Sequence, residues 1–438
     1  MNSSRLSLIF FCFSSAFILF NVGYFAREFK LFPYKVYTEA EKGWSQIRAQ
    51  QSEQLPWFYI RSNKSPSEVV KNIGQTQPGL SLVTEIAAER NISAKIVDLS
   101  GNTVHEWAID WFTMWPDPQH LPQNLIPQSK PGTNIHGAVI MENGDLVFNF
   151  ESKGLVRVDP DGEVVWRLPY LTHHSVHQHD DGNLWVSGTK HQTQKVSRLP
   201  NLIPPFYEET ILEITPEGEI LREWYVADLL RQNGYEGMLY LGNLNNENTA
   251  IQGDGRLLGN TDLLHLNDVE PFSAKLRPGF FQPGDVMVSL RNINTVFVFN
   301  AEDEKIKFIS TGEFVRQHDP DFIDGDTFSV FDNNNNNAQG SERRSKIVIV
   351  SAQDKTKKVF FEGSKDNKFF TRVMGKHQWQ PNGNLLITES MSGRGFEIDH
   401  DGKVVWEYIN YVEPGVVGVV AEVQRLPTSD TELFTKEE

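Results

Sequence analysis

The segment TPEGEILREW at residues 215–224 places a glycine turn between two short strands, the second of which ends in tryptophan. Related segments recur along the chain: DLSGNTVHEW at 98–107, DPDGEVVW at 159–166, NAEDEKIKF at 300–308, AQDKTKKVF at 352–360 and DHDGKVVW at 399–406. The copies begin 61, 56, 85, 52 and 47 residues apart. Repeats of short strands with this spacing are typical of propeller blades. The sequence therefore predicts an all-β fold, a six-bladed β-propeller with one enlarged blade.

A second pattern, a histidine followed by a glycine-containing turn, interleaves with the first. Its copies are His136 before Asn143-Gly144, His174 before Asp181-Gly182, His265 before Pro283-Gly284, His318 before Asp324-Gly325 and His377 before Asn382-Gly383. Asn-Gly and Asp-Gly turns join adjacent antiparallel strands, so each histidine is expected near the start of a hairpin. Because inner strands line a propeller's channel, the pattern predicts a ring of histidines around one axis. Spacing favours His174 over His173, because His174 and His136 each precede their turn glycine by eight residues.

The composition narrows the functional classes. The chain has 438 residues, enough for a large globular domain, and its 22 prolines and 32 glycines suit a turn-rich β protein. A formal net charge of −16 argues against nucleic acid as the main partner. The one cysteine, Cys12, excludes an intramolecular disulfide.

An uncharged hydrophobic run lies near the N-terminus, between Arg5 and Arg27. About twenty such residues can span a bilayer as a helix, and a cleaved secretory signal is the alternative. We predict a single-pass membrane protein with its large domain on the periplasmic or extracytoplasmic side. The predicted segments are a cytoplasmic N-terminus at 1–5, a transmembrane helix in the lipid bilayer at 6–26, a juxtamembrane helix and linker at 27–79, the propeller at 80–425, and a polar tail at 426–438.

Two kinds of side chain suggest chemistry in the predicted channel. Arg291 ends an otherwise largely apolar strand, where a cation is costly unless it meets an anion. Its guanidinium suits a tetrahedral oxyanion, and a nearby carboxylate is the alternative partner. Inward imidazoles could also hold zinc or copper, but no His-x3-His on a helix and no cysteine spacing supports this. We therefore predict no metal and no cofactor.

Five signatures together resemble the bacterial arylsulfate sulfotransferases. They are HGAV with NGD at 136–145, HH with DGN at 173–183, HLN with SLR at 265–291, QH with FDN at 317–333, and PNGNLLITES at 381–390. The resemblance runs from about Ile135 to Tyr408. It implies a six-bladed propeller that moves a sulfuryl group from a phenolic sulfate ester to a phenol, without a nucleotide sulfate donor.

The resemblance also implies roles for individual residues. His318 would be the nucleophile that is transiently sulfated, His265 and Arg291 would hold the sulfuryl oxygens, and His174 would complete the site. Residues expected to contribute to binding are His136, His377 and Asn267. The alternative is a non-catalytic or metal-binding propeller that holds a small anion or a peptide in its channel. Assembly into homo-oligomers stays open at this stage.

Overall fold

The computed structural model describes residues 3–28, 32, 55–63, 70–72, 74–200, 202, 204–241, 262–336, 343–365 and 367–435. The chain divides into two compact units, Met1–Trp57 and Phe58–Glu438. In the first unit, helix α1 spans Ser3–Glu28. No helix in the described part of the chain combines the length and the apolarity that crossing a bilayer requires. The transmembrane helix predicted at 6–26 is therefore not supported.

The second unit consists mainly of strands. In chain order they are β1 Tyr59–Arg61, β2 Val70–Asn72, β3 Ser81–Ile86, β4 Ile92–Val97, β5 Thr103–Ile109, β6 Ile135–Ile140, β7 Leu146–Phe150, β8 Gly154–Val158, β9 Val164–Leu168, β10 Leu171–Gln178, β11 Leu184–Gln192, β12 Phe206–Ile214, β13 Ile220–Tyr225, β14 Leu266–Pro271, β15 Asp285–Leu290, β16 Thr295–Asn300, β17 Ile306–Thr311, β18 His318–Phe322, β19 Thr327–Asp332, β20 Lys346–Ser351, β21 Lys357–Glu362, β22 Lys376–Trp379, β23 Leu385–Glu389, β24 Arg394–Ile398, β25 Val404–Ile409, β26 Tyr411–Glu413, β27 Val416–Gly418 and β28 Val420–Arg425.

Helical turns connect some of these strands. The α-helices of this unit are α2 Trp111–Met114, α3 Val226–Gln232 and α4 Thr428–Thr435. Short 3₁₀ helices span Ala88–Arg90, Gln123–Leu125, Glu236–Tyr240, Arg291–Ile293 and Ser390–Ser392.

The strands form antiparallel sheets of four consecutive strands, namely β6–β9, β10–β13, β14–β17 and β18–β21. Strands β22–β25 form a further sheet with β2 on its edge. Strand β28, near the C-terminus, pairs with β3 and so completes the four-stranded sheet β28-β3-β4-β5. A three-stranded sheet has the order β1-β27-β26. The first strands of the larger sheets, β6, β10, β14, β18, β22 and β28, contact one another in a closed cycle. The predicted all-β architecture of four-stranded antiparallel sheets is confirmed.

Two terminal segments contain more structure than predicted. Strands β1 and β2 lie within the expected linker, and β2 hydrogen-bonds to β25, covering an outer edge that would otherwise be unpaired. Helix α4 lies in the expected polar tail. Residues 29–31 and 33–54 of the predicted juxtamembrane segment lie outside the described residues.

Aromatic residues at the ends of the repeats join neighbouring sheets. Each of three buried or half-buried tryptophans donates its indole N–H to a backbone carbonyl in the turn of the next repeat: Trp107 to Asp159 at 3.1 Å, Trp166 to Pro216 at 2.9 Å, and Trp406 to Leu99 at 3.0 Å. The last pair connects the sheet of β22–β25 with that of β3–β5. Because an indole is a large apolar surface with one polar atom, it fills the space between sheets without leaving its donor unpaired. Aromatics at the repeat ends therefore pack between neighbouring sheets.

Bulges interrupt the inner strands close to the histidines. The register shifts between Ile135 and Ala138 in β6, His173 and Val176 in β10, Leu266 and Asp268 in β14, and His318 and Asp321 in β18. At or near these bulges, φ is positive at His174 (55°), His265 (56°) and Asp319 (47°). A bulge adds an unpaired residue and turns the neighbouring side chains. The bulges therefore decide where the histidines point, and periodicity alone did not predict them.

Replacing Gly137 with alanine is expected to destabilise the protein by at least about 2 kcal/mol more than the same change at Gly383. Both glycines have left-handed φ, 91° and 86°. A Cβ at Gly137 would lie 2.0 Å from the carbonyl oxygen of His174, whereas nothing lies within 4 Å at Gly383. Urea unfolding of the two variants measures the difference. Equal destabilisation would contradict the close packing of β6 against β10.

Candidate active site

Four of the predicted histidines come together where the inner strands begin. His136 lies on β6, His174 on β10, His265 directly before β14, and His318 at the start of β18. The ring centre of His174 lies 4.3 Å from that of His136, 4.9 Å from that of His265 and 6.2 Å from that of His318. His173, the alternative to His174, also belongs to the cluster, with its Nδ1 2.9 Å from Nδ1 of His174. Both members of the pair therefore contribute.

His377 does not join this cluster, so the predicted ring of five histidines is wrong at this position. Its Nδ1 lies 3.0 Å from Asp319 Oδ2, and its Nε2 lies 2.7 Å from Ser329 Oγ. The physical reason lies in β22, which pairs with β23 in regular register and lacks the bulge found beside the other histidines. The predicted binding role of His377 stays a prediction.

Asn267 is buried beside the cluster, and its amide donates to the carbonyl of Gln317 at 2.8 Å. Its Oδ1 is also buried and accepts no hydrogen bond from the described residues. The side chain thus fixes β14 against the residue that precedes His318. Its predicted role in substrate binding stays a prediction.

A cavity of about 470 Å³ opens against the histidine cluster. Its lining, within the described ranges, consists of Asn124, Leu125, Glu151, Ser152, Leu171, His173, His174, Thr189, Tyr207, Glu209, Asp262 and His265. Apolar and aromatic side chains thus share the cavity with imidazoles and carboxylates, a lining suited to an aromatic ring that carries a polar group. His318 and Arg291 are absent from this lining, and His318 is only 3% exposed.

The tautomer of His318 follows from its neighbours. Its Nδ1 lies 2.6 Å from Asn333 Oδ1 and 3.1 Å from the carbonyl oxygen of Arg316, and both can only accept. The amide of Asn333 donates to the carbonyls of Thr371 and Met374, which fixes its orientation. Nδ1 of His318 therefore carries the proton, and Nε2 keeps its lone pair.

The charge state of His318 suits a nucleophile. Burial, followed by the nearby charge of Arg291, lowers the pKa of His318 well below the ordinary value for histidine. The imidazole is therefore neutral near pH 7, and a neutral imidazole can attack through Nε2. In this structure, Nε2 accepts a hydrogen bond from the backbone N–H of Met374 at 3.2 Å.

Arg291 is a largely buried cation whose ion pair with Asp262 is long. Its Nη2 lies 3.8 Å from Asp262 Oδ2, which is beyond hydrogen-bonding distance. Its Nε and Nη2 donate to Asn292 Oδ1 at 3.3 and 3.2 Å. Burial lowers the pKa of Arg291, although Asp262 opposes that shift. The arrangement leaves a cation that can pair more strongly with an incoming anion than with its present neighbours.

A chain of hydrogen bonds runs through the cluster from Asp262 to Glu209. Nδ1 of His265 lies 2.6 Å from Asp262 Oδ2, and Nε2 of His265 lies 3.3 Å from Nε2 of His174. At the other end, Nε2 of His173 lies 2.8 Å from Thr189 Oγ1 and 3.3 Å from Glu209 Oε2. With the 2.9 Å contact between His173 and His174, every imidazole in the chain uses both nitrogens. When His265 is neutral, one consistent proton arrangement has His173 donating to His174, His174 to His265, and His265 to Asp262.

The pKa shifts agree with that arrangement. Burial opposes ionisation of Asp262, but the charges of His265 and Arg291 outweigh it and lower its pKa to about 2. Burial likewise disfavours the protonated form of His173, but hydrogen bonding to Glu209 and that carboxylate's charge raise its pKa. Burial and then the surrounding imidazoles lower the pKa of His174 well below the ordinary value. Near pH 7 this hydrogen-bonded chain therefore has an ionised Asp262 at one end and a neutral His174 at its centre, and the pKa of His173 is raised.

Glu151 supports the other side of the cluster. Its Oε2 accepts from His136 Nδ1 at 3.0 Å and from the backbone N–H of His174 at 3.1 Å. Burial raises the pKa of Glu151, but His136 and the neighbouring His173 and His174 outweigh this and lower it to about 2. A carboxylate held in this way orients His136 and fixes the backbone at the β10 bulge.

Replacing Glu209 with glutamine is expected to destabilise the protein by about 2 kcal/mol at acidic pH and by less at alkaline pH. The folded-state pKa of His173 is raised, so its contribution is fully present below the unfolded value of about 6.5 and is lost as pH rises through the folded value. Urea unfolding at about pH 5.5 and about pH 9 measures this, with the exposed Glu217→Gln variant as the control. A difference that is independent of pH would contradict the pairing.

The partners of the histidines were not predicted from the sequence. Glu151 follows the end of β7, Asn333 follows the end of β19, and Asp262 lies three residues before His265. Each of the first two comes directly after the strand that pairs with a histidine-bearing inner strand. Their position in the sequence could have indicated this role, because the end of one hairpin strand lies opposite the beginning of its partner, where the histidine is.

The strands and the cluster define an all-β protein with a buried histidine site at its inner strands. A family model described as arylsulfotransferase (ASST) matches residues 137–411, more than half of the chain. The protein belongs to this family, and membership supports a sulfotransferase-type enzyme. The family predicted from the blade signatures is therefore confirmed. Among curated proteins no match is found.

Solved structures with similar folds share little sequence with this chain. A protein of unknown function from Bacteroides caccae is 14% identical, with a TM-score of 0.46 over 79% of this chain and 98% of its own. Virginiamycin B lyase from Staphylococcus aureus is 11% identical, with a TM-score of 0.38 over 78% and 88%. TolB from Acinetobacter baumannii is 10% identical, with a TM-score of 0.40 over 79% and 66%. Likenesses of this level carry no inference about activity.

Proposed function

We propose that this protein transfers a sulfuryl group from an aryl sulfate ester to a phenolic acceptor, through a covalent intermediate on His318. The observation that carries the proposal is the fixed tautomer of His318, whose Nδ1–H donates to Asn333 Oδ1 at 2.6 Å and leaves Nε2 as the nucleophilic atom. The buried guanidinium of Arg291 supplies positive charge near this imidazole. The aryl groups of donor and acceptor fit the apolar part of the cavity.

In the first half-reaction, Nε2 of His318 attacks the sulfur of the donor. The new N–S bond forms as the S–O bond to the aryl group breaks, and the phenolate takes the bonding electrons. Arg291 and His265 would face the oxygens of the sulfuryl group, where cations and N–H donors stabilise the transition state. His173 supplies a proton that passes through His174 to Nε2 of His265, and this nitrogen gives it to the departing phenolate when it exchanges its contact with His174 for the phenolate oxygen.

In the second half-reaction, the acceptor phenol enters after the first phenol leaves. The chain of imidazoles now takes the proton of the acceptor phenol. The phenol oxygen attacks sulfur as the N–S bond to His318 breaks. Because Asp262 and Glu151 stay ionised, they stabilise the imidazolium that forms. Donor product is released before acceptor is consumed, so ping-pong kinetics follow.

Attack requires a change in the contacts of His318. Nε2 must exchange its 3.2 Å hydrogen bond from the Met374 N–H for the sulfur of the donor. Met374 has a positive φ of 60° and lies next to Gly375, so the backbone here is already in a sparsely populated conformation. We propose that donor binding displaces this segment and opens His318 to the cavity.

The test is sulfate transfer from a chromogenic aryl sulfate to phenol by the purified protein. Phenol should accelerate release of the chromophore, and double-reciprocal plots at several phenol concentrations should be parallel. Intersecting lines would refute the covalent intermediate while leaving sulfuryl transfer in place. Absence of transfer with a series of aryl sulfates and phenols would refute the proposal as a whole.

A metal-binding propeller is the second candidate function, and one observation favours it. Donor atoms of His136, Glu151 and His174 lie within 4.8 Å of one another, close enough for one ion to join them. In this structure those atoms already serve as hydrogen-bond partners within the cluster. Zinc titration by calorimetry decides between the candidates: tight binding together with a catalytically silent protein would favour the metal site.

The closed cycle formed by the inner strands of the six larger sheets supports a six-bladed count for the propeller. An extracytoplasmic location of this domain stays a prediction. Fractionation of cells that express the full chain tests it.

A further inference from the structure

A second chamber, of about 360 Å³, lies farther along the inner strands. The two sites use neighbouring residues of the same strands. His318 belongs to the histidine cluster, and the next residue, Asp319, lines the second chamber. In β10, His177 lines this chamber three residues after His174. The chamber is therefore separate from the site proposed for sulfuryl transfer.

Acidic side chains dominate this chamber. Glu270, Asp319, Asp321 and Glu422 line it, and Asp268 lies beside it on β14. The basic groups are one lysine, Lys376, and two histidines, His177 and His377. Even if both imidazoles were protonated, these five carboxylates would leave two negative charges uncompensated. Because buried charge without compensation is costly, such a set calls for either protons or a bound cation.

Two carboxylates keep oxygens available. Asp268 is 1% exposed, and its Oδ2 has no hydrogen-bond partner among the described residues. Since side chains two residues apart in a strand share a face, Asp268 points to the same side as Glu270, which lines the chamber. In the described part of the chain, no hydrogen bond reaches the carboxylate of Asp321, whose Oδ2 lies 3.6 Å from His377 Nε2. An unpaired buried oxygen beside an acidic chamber indicates a missing cationic partner.

The geometry of the nearest donors suits a single ion. Oxygens of Asp319 and Asp321 and a ring nitrogen of His377 lie within 4.8 Å of one another. Both nitrogens of His377 are already engaged, Nδ1 with Asp319 at 3.0 Å and Nε2 with Ser329 Oγ at 2.7 Å. The imidazole therefore positions Asp319 and leaves coordination to the carboxylates. Oxygen ligands select hard cations such as Ca²⁺ and Mn²⁺ over zinc or copper.

We propose that this chamber binds a hard divalent cation of the Ca²⁺ class through Asp319 and Asp321, with Glu270 and Asp268 completing the negative site. The 3.3 Å contact between Lys376 Nζ and Asp319 Oδ1 neutralises only one of these carboxylates. The cation would hold β14 and β18 together at this end of the chamber.

Calorimetric titration of the full chain with CaCl₂, after treatment with a chelator, tests the proposal. We expect one site with a Kd on the order of 10⁻⁵ to 10⁻³ M, together with a rise in melting temperature. Asp321→Asn should weaken binding at least about tenfold, whereas the exposed Glu217→Gln should bind like the wild type. Without Ca²⁺, Asp321→Asn should unfold at the same temperature as the wild type or higher, because it removes repulsion between like charges.

Terbium luminescence locates the ion. Trp379 lines the chamber, so its excitation should sensitise Tb³⁺ emission that Ca²⁺ displaces. Trp379→Phe should lose most of this emission and still bind Ca²⁺ in the calorimeter. Absence of Ca²⁺ and Mn²⁺ binding at about millimolar concentrations, or unchanged affinity in Asp321→Asn, would overturn the proposal.

Discussion

Replacing His318 with alanine is expected to lower sulfate transfer from an aryl sulfate to phenol by at least about 10³-fold. The imidazole supplies the only atom to which the sulfuryl group would be bound between the two half-reactions, and alanine offers no substitute. Because Nε2 is the proposed attacking atom, loss should appear in kcat for donor cleavage as well as for transfer. Chromophore release followed with and without phenol measures both.

The control is another histidine-to-alanine change far from the cluster. His400 is suitable, because its side chain is 84% exposed and its imidazole pairs with the exposed Asp401. His400→Ala should retain wild-type activity, and circular dichroism should show that His318→Ala folds. Mass spectrometry of acid-sensitive peptides after a donor-only incubation should find the sulfuryl group on the peptide that contains His318.

The structure also defines a specific competitor for the nucleophile. His265 lines the cavity and has its Nδ1 2.6 Å from an ionised Asp262, so its Nε2 also has nucleophilic character. Full transfer by His318→Ala, with sulfuryl label on the peptide that contains His265, would move the covalent step to His265. The two assignments therefore give opposite labelling patterns in the same experiment.

Much of the fold was predictable because it repeats. The Trp-ended hairpins predicted sheets of similar size, and in the structure the indole of Trp107 donates to the backbone of the next repeat. Strand β28, in contrast, has neither pattern, because its role is to complete a sheet begun by β3 more than three hundred residues earlier. A partner that is distant in the chain gives no local periodicity.

The candidate site was predictable in its imidazoles and not in its carboxylates. His174 and His265 were found because each precedes a recognisable turn. Their final direction depends on bulges with positive φ, which arise from contacts between sheets, such as the close approach of Gly137 to His174. Glu151 and Asp262 carry no motif of their own, so only the folded arrangement shows that they hold the histidines.

Replacing Asp262 with asparagine is expected to lower transfer by about 10²-fold or more and to change its pH dependence. Asp262 accepts from His265 Nδ1 at 2.6 Å and lies 3.8 Å from Arg291, so it orients the imidazole and stabilises its protonated form. Asparagine can donate through its amide and would favour the opposite tautomer, which reverses the direction of the hydrogen-bonded chain. The loss should fall on kcat, because the substrate contacts of the cavity stay in place.

The pH profile separates a positioning role from a structural one. Since the carboxylate has a pKa of about 2, its charge is constant from mildly acidic to alkaline pH, and the wild-type profile near neutrality belongs to the imidazoles. Loss of that charge should shift the profile's basic limb to lower pH, because an imidazolium at His265 becomes less stable. Asp354→Asn, a change at an exposed carboxylate outside the cluster, should leave the profile unchanged. A lower rate with an unshifted profile would mean that Asp262 merely holds the local backbone, and the proton route through His265 would then have to be abandoned.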